Sequence, residues 1–426
     1  MRFLSLLIGK IILGFRRLSG GGSALPGLVV EKLNPGFLKQ MLAQLPQGVI
    51  VVSGTNGKTT TTKTIASLLE GQGLRVLTNK SGSNFVRGIV GAVLSNSTLG
   101  GKLPFDIAVF EQDEAHAVHF VHQVRPRGVV VLNIMRDQMD RFGEIDTTAK
   151  LLQELSTSAT EFVVLNSNDE RVSKLNPSNG VKTFWFGHNK DLQHSFLTDD
   201  ELHHLGDVSF HSAGEPLFEL TDYKQGEITL NHRGKSKTLK TALSTSHNAI
   251  NLMAALTTLE AALPDLDMEK VGESIMSLQP AFGRGESFKL TDGTKITLQL
   301  VKNPGGFTHS LRMLNQEPYD VIAMAINDDY ADGRDVSWLW DVDFNHLEGT
   351  KTPLICGGTR GFDMAVRLKY DGAPTEHVKR EIADFVEVVN LEAKGKSAMV
   401  FCTYTAMLKI RSLYQKESSE VYGVEV

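Results

Sequence analysis

The residues with the clearest chemical potential are SGTNGKTTTT at 53–62, which follow the apolar run GVIVV at 48–52. This order reads as a buried strand, a glycine turn and the start of a helix. The first backbone N–H groups of such a helix lack partners inside it, and the helix dipole makes them a seat for phosphate. Lys58 can reach terminal phosphate oxygens, and the Thr59 hydroxyl can hold Mg²⁺. The longer phosphate-loop pattern has a Gly where this chain has Val52, so the match is to the shorter form GTNGKT.

Other polar concentrations follow apolar runs. Glu111 ends the run DIAVF and would face the phosphate loop, as a direct or indirect Mg²⁺ ligand beside Thr59. Asp113 and Glu114 compete for that role, or serve to cap the next helix. The stretch 133–150 gathers Asn133, Asp137, Gln138, Asp140 and Arg141, with Lys150 on the helix beyond. His116, His119 and His122 have helical spacing, but no carboxylate or cysteine box completes a metal site, which favours packing or solvent-facing roles. His203 and His204 receive no assignment. VKNPGGF at 301–307 reads as a strand and a Pro-Gly turn that brings backbone close to a ligand. INDDYADGRDVSWLWDVDF at 326–344 offers a run of aspartates suited to a catalytic, orienting or partner-contacting role, and packing accounts for its Trp338 and Trp340.

These residues must be positioned by something. Strand-like runs alternate with helical ones: after the loop come IAVF, RGVVVLNI, EFVVLN and KTFWFG, each ending in polar residues. That rhythm describes a doubly wound parallel α/β sheet, whose ligands sit at the carboxyl ends of the strands. Residues 189–240 lose the rhythm and read as a polar, β-like insert. TSHNAINLMAALTTLEAAL at 245–263 is a helix, and a second α/β alternation starts near 290. A boundary near GRGES (283–287) divides the chain into an N-terminal helical segment (1–45), a central domain (46–285) and a smaller α/β domain (286–426).

A chain of 426 residues with 41% hydrophobic and 22% charged residues has the composition of a globular protein of two or three domains. A net charge of −5 gives no support for a nucleic-acid surface. Cys356 and Cys402 stand alone, which fits a reducing cytoplasm and allows no disulfide framework. The opening MRFLSLLIGKIILGFRR is too short to span a bilayer and has no convincing cleavage site. It reads as an amphipathic helix packed on the next domain or, alternatively, lying on a membrane surface.

Together GTNGKTTTT, FEQDE, NIMRDQMDRFGE, SHNAINLMAA and GRGE resemble the Mur ligase family of ATP-dependent amide-bond ligases. LVKNPGGF, the DGRDVSWLWD region and GGTRGFDMAVRLKY are similar to its MurT branch, the ligase-like subunits of lipid II isoglutaminyl synthase. The resemblance runs from about residue 5 to the end. It implies a central P-loop ATPase domain and a reaction. ATP phosphorylates the α-carboxylate of D-glutamate in the lipid II stem peptide, and ammonia from a separate GatD-like glutaminase displaces phosphate to leave D-isoglutamine. Gly54, Thr55, Asn56, Gly57, Lys58, Thr59 and Thr60 would bind the nucleotide, with Asn248 on the adenine side and Arg284 of GRGE as a further contact. Thr59 and Glu111 would hold Mg²⁺, and Lys58 would be catalytic. Lys150 falls where many Mur ligases carry a carbamylated lysine. Asp335, with Asp332 as runner-up, would complete the glutaminase's catalytic arrangement.

The branch commonly carries a four-cysteine zinc ribbon in its central domain. Residues 165–240 contain no cysteine, so no zinc is expected. The resemblance implies no nucleic-acid partner and a cytoplasmic protein at the inner face of the plasma membrane, with peripheral contact allowed. Two other readings use the same phosphate loop: a stand-alone Mur-type amino-acid ligase, and a nucleotide-binding scaffold that recruits a glutaminase.

Overall fold

A computed structural model describes residues 2–18, 24–79, 85–135, 145–196, 210–224, 226–243, 245–278, 284–312, 314 and 318–422. Two compact units divide the chain, one built from Met1–Ile134, Ile145–Thr198 and Val208–Leu278, the other chiefly from the residues after Gln279.

The first unit begins with helices α1 (Arg2–Leu18), α2 (Ala24–Leu33) and α3 (Phe37–Leu42). Then come β1 (Val49–Ser53), α4 (Lys58–Gly71), β2 (Val76–Thr78), α5 (Val86–Asn96), β3 (Ile107–Glu111), α6 (Glu114–Val121) and β4 (Gly128–Val131). They are followed by α7 (Ile145–Thr157), β5 (Phe162–Asn166), α8 (Glu170–Ser173), β6 (Lys182–His188), β7 (Phe218–Lys224), β8 (Glu227–His232), β9 (Lys235–Lys240), α9 (Ser246–Ala262) and α10 (Met268–Ser277). The nine strands form one sheet in the order β2-β3-β1-β4-β5-β6-β7-β8-β9. Pairing is parallel from β2 to β7 and antiparallel from β7 to β9.

The central strands are buried on both faces, which is why they read as unbroken apolar runs. Alternate residues serve opposite faces. Val49 and Val51, with Ala108, Phe110, Val129 and Val131, join the core that includes Leu6, Phe37 and Leu38 of the N-terminal helices. Ile50 and Val52, with Ile107, Val109 and Val130, join the core formed with α4, α9 and α10. The three N-terminal helices are thus part of this unit's packing. The residues from 218 to 240 continue its sheet as three further strands, with β9 outermost.

The second unit contains β10 (Arg284–Leu290), β11 (Lys295–Leu300), α11 (Pro304–Arg312), β12 (Val321–Ala325), β13 (Leu354–Gly357), α12 (Gly361–Tyr370), β14 (His377–Lys379), α13 (Ile382–Glu392), β15 (Ser397–Cys402), α14 (Tyr404–Glu417) and β16 (Ser418–Tyr422). Its sheet runs β14-β13-β12-β15-β11-β10-β16, parallel from β14 to β11. One sequence expectation is corrected here. The NPGG stretch is the first turn of α11 rather than a free turn. The Asn303 carboxamide oxygen accepts from Gly306 N at 2.8 Å, and Pro304 opens the helix, where its missing N–H costs nothing.

The described residues contain no helix long and apolar enough to cross a membrane. At the rim of the first sheet, Arg75 donates to both oxygens of Asp106 at 3.0 and 2.7 Å. These hydrogen bonds, with one from the Arg75 backbone, hold the Asp106 carboxyl down to about 2 from 3.8. Because the folded value lies below the unfolded one, the ion pair stabilises the fold above 3.8, and that contribution fades as pH falls towards about 2. An NMR titration is expected to give this low midpoint for Asp106. Asp106→Asn should remove the corresponding slope from the acid limb of the unfolding profile.

Candidate functional site

The phosphate-loop residues lie at the carboxyl end of β1, between β3 and β4. Here the chain order reverses across a parallel sheet, and such sheets open a ligand crevice at that point. Gly54 (φ 127°) and Gly57 (φ 88°) both occupy the left-handed half of backbone space. A side chain at Gly54 would lie 3.0 Å from the backbone of Leu132 and Asn133, and one at Gly57 would lie 2.3 Å from Asn251 Oδ1. The loop is therefore pressed between the β4 end and α9.

Asn133 fixes the loop's shape. Its carboxamide oxygen accepts from Asn56 N at 2.8 Å, its amide donates to Asn56 O at 3.0 Å, and its carbonyl accepts from Thr55 N at 3.1 Å. Ile134 N, one residue on, donates to the Asp169 carboxylate at 2.8 Å, which also caps α8 through Arg171 N and Val172 N. Burial pushes the Asp169 carboxyl up, against the opposing pull of those three backbone donors.

The helix α4 begins at Lys58 itself. The Lys58 ammonium is buried and donates to Gly54 O at 2.6 Å and Thr55 O at 3.3 Å, with Glu114 Oε1 also 3.3 Å away. The Thr59 hydroxyl donates to Glu111 Oε2 at 2.8 Å. Glu111 is set by a reciprocal pair with Asn79: its N–H donates to Asn79 Oδ1, and its carbonyl accepts from Asn79 Nδ2, both at 2.9 Å. Glu114 therefore faces the lysine and Glu111 the threonine. Asp113, at the start of α6, makes no side-chain cap bond, and its Oδ1 is buried without a partner.

These features fit a nucleotide phosphate chain with Mg²⁺. Two glycines leave room where a Cβ would not fit, an ammonium rests on the loop's own carbonyls, and a hydroxyl and a carboxylate stand within one ligand shell. Buried polar atoms also lack protein partners: Thr60 Oγ1 in the first turn of α4, and Asn248 Oδ1 in the first turn of α9. Such atoms are costly unless something else satisfies them. Among the described residues, no group of three or more His, Cys, Asp and Glu could hold a metal ion by itself, so Mg²⁺ here would take most of its ligands from phosphate and water.

Lys150 is exposed on α7, while the side chain of Arg284, as well as Asp137, Gln138, Asp140, Arg141, His203 and His204, lie outside the described residues. The three histidines of helical spacing have separate partners. His116 packs edge-on to Phe85 at 4.3 Å, His119 reaches Glu31 at 3.2 Å, and His122 reaches Glu154 at 3.1 Å. Asn79 and Asn251 escaped the sequence reading. Asn251 has a faint signal, one helical turn beyond Asn248; Asn79 has none, because its partner is 32 residues away.

In the second unit, Asp335 is exposed and accepts from Ser337 N at 2.8 Å, and hydrogen bonding from Ser337 holds its carboxyl below the usual range. Asp332 is buried and accepts from both the backbone N–H and the hydroxyl of Thr405, yet desolvation pushes its carboxyl up. Asn327, beyond β12, ties this corner to β13 and β15: it donates to Thr405 Oγ1, accepts from Thr359 N, and its N–H bonds Thr403 Oγ1. Cys356 and Cys402 are fully buried, and desolvation raises both thiols far above their ordinary range.

Comparison with known proteins gives two family matches: Mur ligase middle domain over residues 52–259 and MurT ligase C-terminal over residues 300–407. The chain is 33% identical over 423 residues to the lipid II isoglutaminyl synthase (glutamine-hydrolyzing) subunit MurT of Streptococcus pneumoniae, covering 92% of each protein. It is 29% identical over 371 residues to the protein of the same description from Staphylococcus aureus (strain COL), covering 82% of this chain and 83% of that one. Among solved structures, MurF from Acinetobacter baumannii superposes with a TM-score of 0.67 at 15% identity, over 92% of this chain and 80% of that one. MurF ligase from Thermotoga maritima in complex with ADP gives 0.63 at 15% identity, over 89% and 82%. The phosphate-loop geometry and these matches along the length of the chain lead to one conclusion: it belongs to the Mur ligase family, in its MurT branch.

Proposed function

We propose that the protein is an ATP-dependent ligase that amidates the D-glutamate α-carboxylate of the lipid II stem peptide, using ammonia released by a GatD-like glutaminase. The observation that carries this reading is the Lys58, Thr59 and Glu111 arrangement on the phosphate loop of a chain so similar to two MurT subunits. Residues 46–285 would be the ATP-binding domain and 286–426 the C-terminal domain. The work would take place in the cytoplasm, at the inner face of the membrane that holds the lipid anchor.

In this mechanism the substrate carboxylate attacks the γ-phosphorus of ATP, the P–O bond to ADP breaks, and an acyl phosphate results. Ammonia then attacks the acyl carbon, phosphate leaves, and the nitrogen gives up a proton to form the amide. The first step gathers negative charges in one place. Lys58 would leave the carbonyls of Gly54 and Thr55 for phosphate oxygens, and its burial makes that charge count for more than it would in water. The N–H groups at the start of α4 would seat the phosphates. Thr59 and Glu111 would hold Mg²⁺, which supplies charge neutralisation at the transferring phosphoryl group. Thr60, Asn248 and Arg284 complete the proposed nucleotide contacts, and Lys150 is the proposed carbamylated position.

The need for an external ammonia source has its own support. Glutamine hydrolysis by a thiol requires a thiolate, and both cysteines are buried with their thiols held protonated. Asp335, exposed and ionised, is the proposed contribution to the partner's catalytic arrangement.

Incubation of lipid II with ATP, Mg²⁺, glutamine and a co-expressed glutaminase should lower the product mass by the difference between hydroxyl and amide. Ammonium chloride should replace glutamine and partner together. Mass gained only when a free amino acid is supplied would instead establish a stand-alone Mur-type ligase, and no turnover would leave a scaffold. Lys58→Ala is expected to cost about 10²–10³-fold in rate with either nitrogen source. Thr59→Ala should weaken nucleotide binding about ten- to hundredfold in calorimetry with Mg²⁺ and far less without it. Gly57→Ala should lower both the melting temperature and nucleotide affinity through its left-handed backbone and the Asn251 clash. Adding Asn251→Ala should recover only the share due to the clash.

A further inference from the structure

The parallel pairing of β4 with β5 ends at Val131 and Leu165. The residues just beyond it, 132–134, are the ones that meet the phosphate loop. Backbone groups that leave a strand ladder still need partners. On one side Leu132 N donates to Ser53 O at 3.1 Å, as in a continued strand. On the other side two side chains from the end of β5 and the turn after it take over. Asn166 Nδ2 donates to Leu132 O at 3.0 Å, and Asp169 Oδ2 accepts from Ile134 N at 2.8 Å. Asn133, whose side chain and carbonyl hold Asn56 and Thr55, is bracketed on both flanks.

Both side chains divide their work. Asp169 Oδ1 accepts from Arg171 N and Val172 N, both at 2.9 Å, and so caps α8. A single hydroxyl can do as much for a helix, as serine and threonine caps show. The second oxygen, which a cap does not require, goes to Ile134 N. Asn166 uses Oδ1 within its own turn, accepting from Asn168 N at 3.0 Å, and sends Nδ2 across to Leu132 O.

The turn that carries them is itself anchored from the far side. Ser167 N donates to Phe186 O at 2.9 Å, and Asn168 Oδ1 accepts from His188 N at 2.7 Å. Asn168 Nδ2 donates to His211 O at 2.9 Å. Towards the loop there is no slack either, since a Cβ at Gly54 would lie 3.0 Å from the backbone of Leu132 and Asn133. Any displacement of 132–134 is passed to the loop.

We infer that Asp169 and Asn166 are positioning residues for nucleotide phosphate, acting through Asn133 on the backbone of residues 54–57. The inference rests on the reading of that loop as the nucleotide site, and its own test concerns binding alone, apart from amidation.

Calorimetry with Mg·ADP supplies that test. Asp169→Ser keeps a capping oxygen and drops the bond to Ile134 N. Its melting temperature should stay close to that of the unaltered protein, while Kd rises about tenfold. Asp169→Asn keeps the shape but has one acceptor for two tasks, and should weaken binding in the same direction. It carries the comparison if the serine variant does not fold. On an Asn133→Ala background, Asp169→Ser should cost about twofold or less, because the side chain that transmits the effect is gone. A general structural loss would instead add in full. Unchanged affinity in the Asp169 variants, or full additivity with Asn133→Ala, would overturn the inference. An unaltered protein that binds no Mg·ADP would overturn the loop reading together with it.

Discussion

The site depends on how closely a turn of backbone is held between two neighbours. Residues 54–57 must pass between the end of β4 and the helix α9, with room for no side chain at either glycine. Only in that position can Asn133 bond both edges of the turn. The sheet order is the cause. With β1 between β3 and β4, the connections leave in different directions and open a cleft that the turn then lines.

That constraint also sets the electrostatics. Lys58 is buried because the turn wraps over it, and buried cations need partners; the loop carbonyls and Glu114 supply them. A ligand with phosphate oxygens would offer the ammonium an exchange of like for like, rather than recruitment of a charge from bulk water. Asn79, from the neighbouring β2 connection, holds both backbone groups of Glu111, and the Thr59 hydroxyl bonds its carboxylate, so this acid is fixed by the scaffold itself. Pre-set donors and acceptors of this kind lose little on binding, which suits a reaction whose difficulty is accumulated negative charge.

Much of this was legible in the sequence because it is local. A Gly, a Lys and a Thr in a fixed order after an apolar run can be read without knowing the fold, and so can a strand ending in Glu111. The parallel sheet announced itself through strands buried on both faces, and those of the second unit did so too. What was not legible depends on distance along the chain. Asn79 earns its role from Glu111, Asn251 from Gly57, and Thr405 from Asp332; no spacing rule connects them. The NPGG stretch misled for a different reason. The residues that make a tight turn also make a helix start, and the Asn303 side chain decides between them. Residues 218–240 read as polar fragments because strands at the margin of a sheet need bury only one face, or neither.

Those marginal strands have a further consequence, for the company the sheet keeps. Without them, the margin would be β6, whose Phe184, Trp185 and Phe186 would offer an aromatic template to any extended chain nearby. The extension moves the margin out to β9, KSKTLK, where Lys235, Lys237 and Lys240 repel the approach of another such strand. At the opposite margin β2 is only three residues long, too short to template much pairing. A sheet of nine strands is thereby closed to edge-on growth at both ends, and the polar, β-like segment serves as a guard against aggregation.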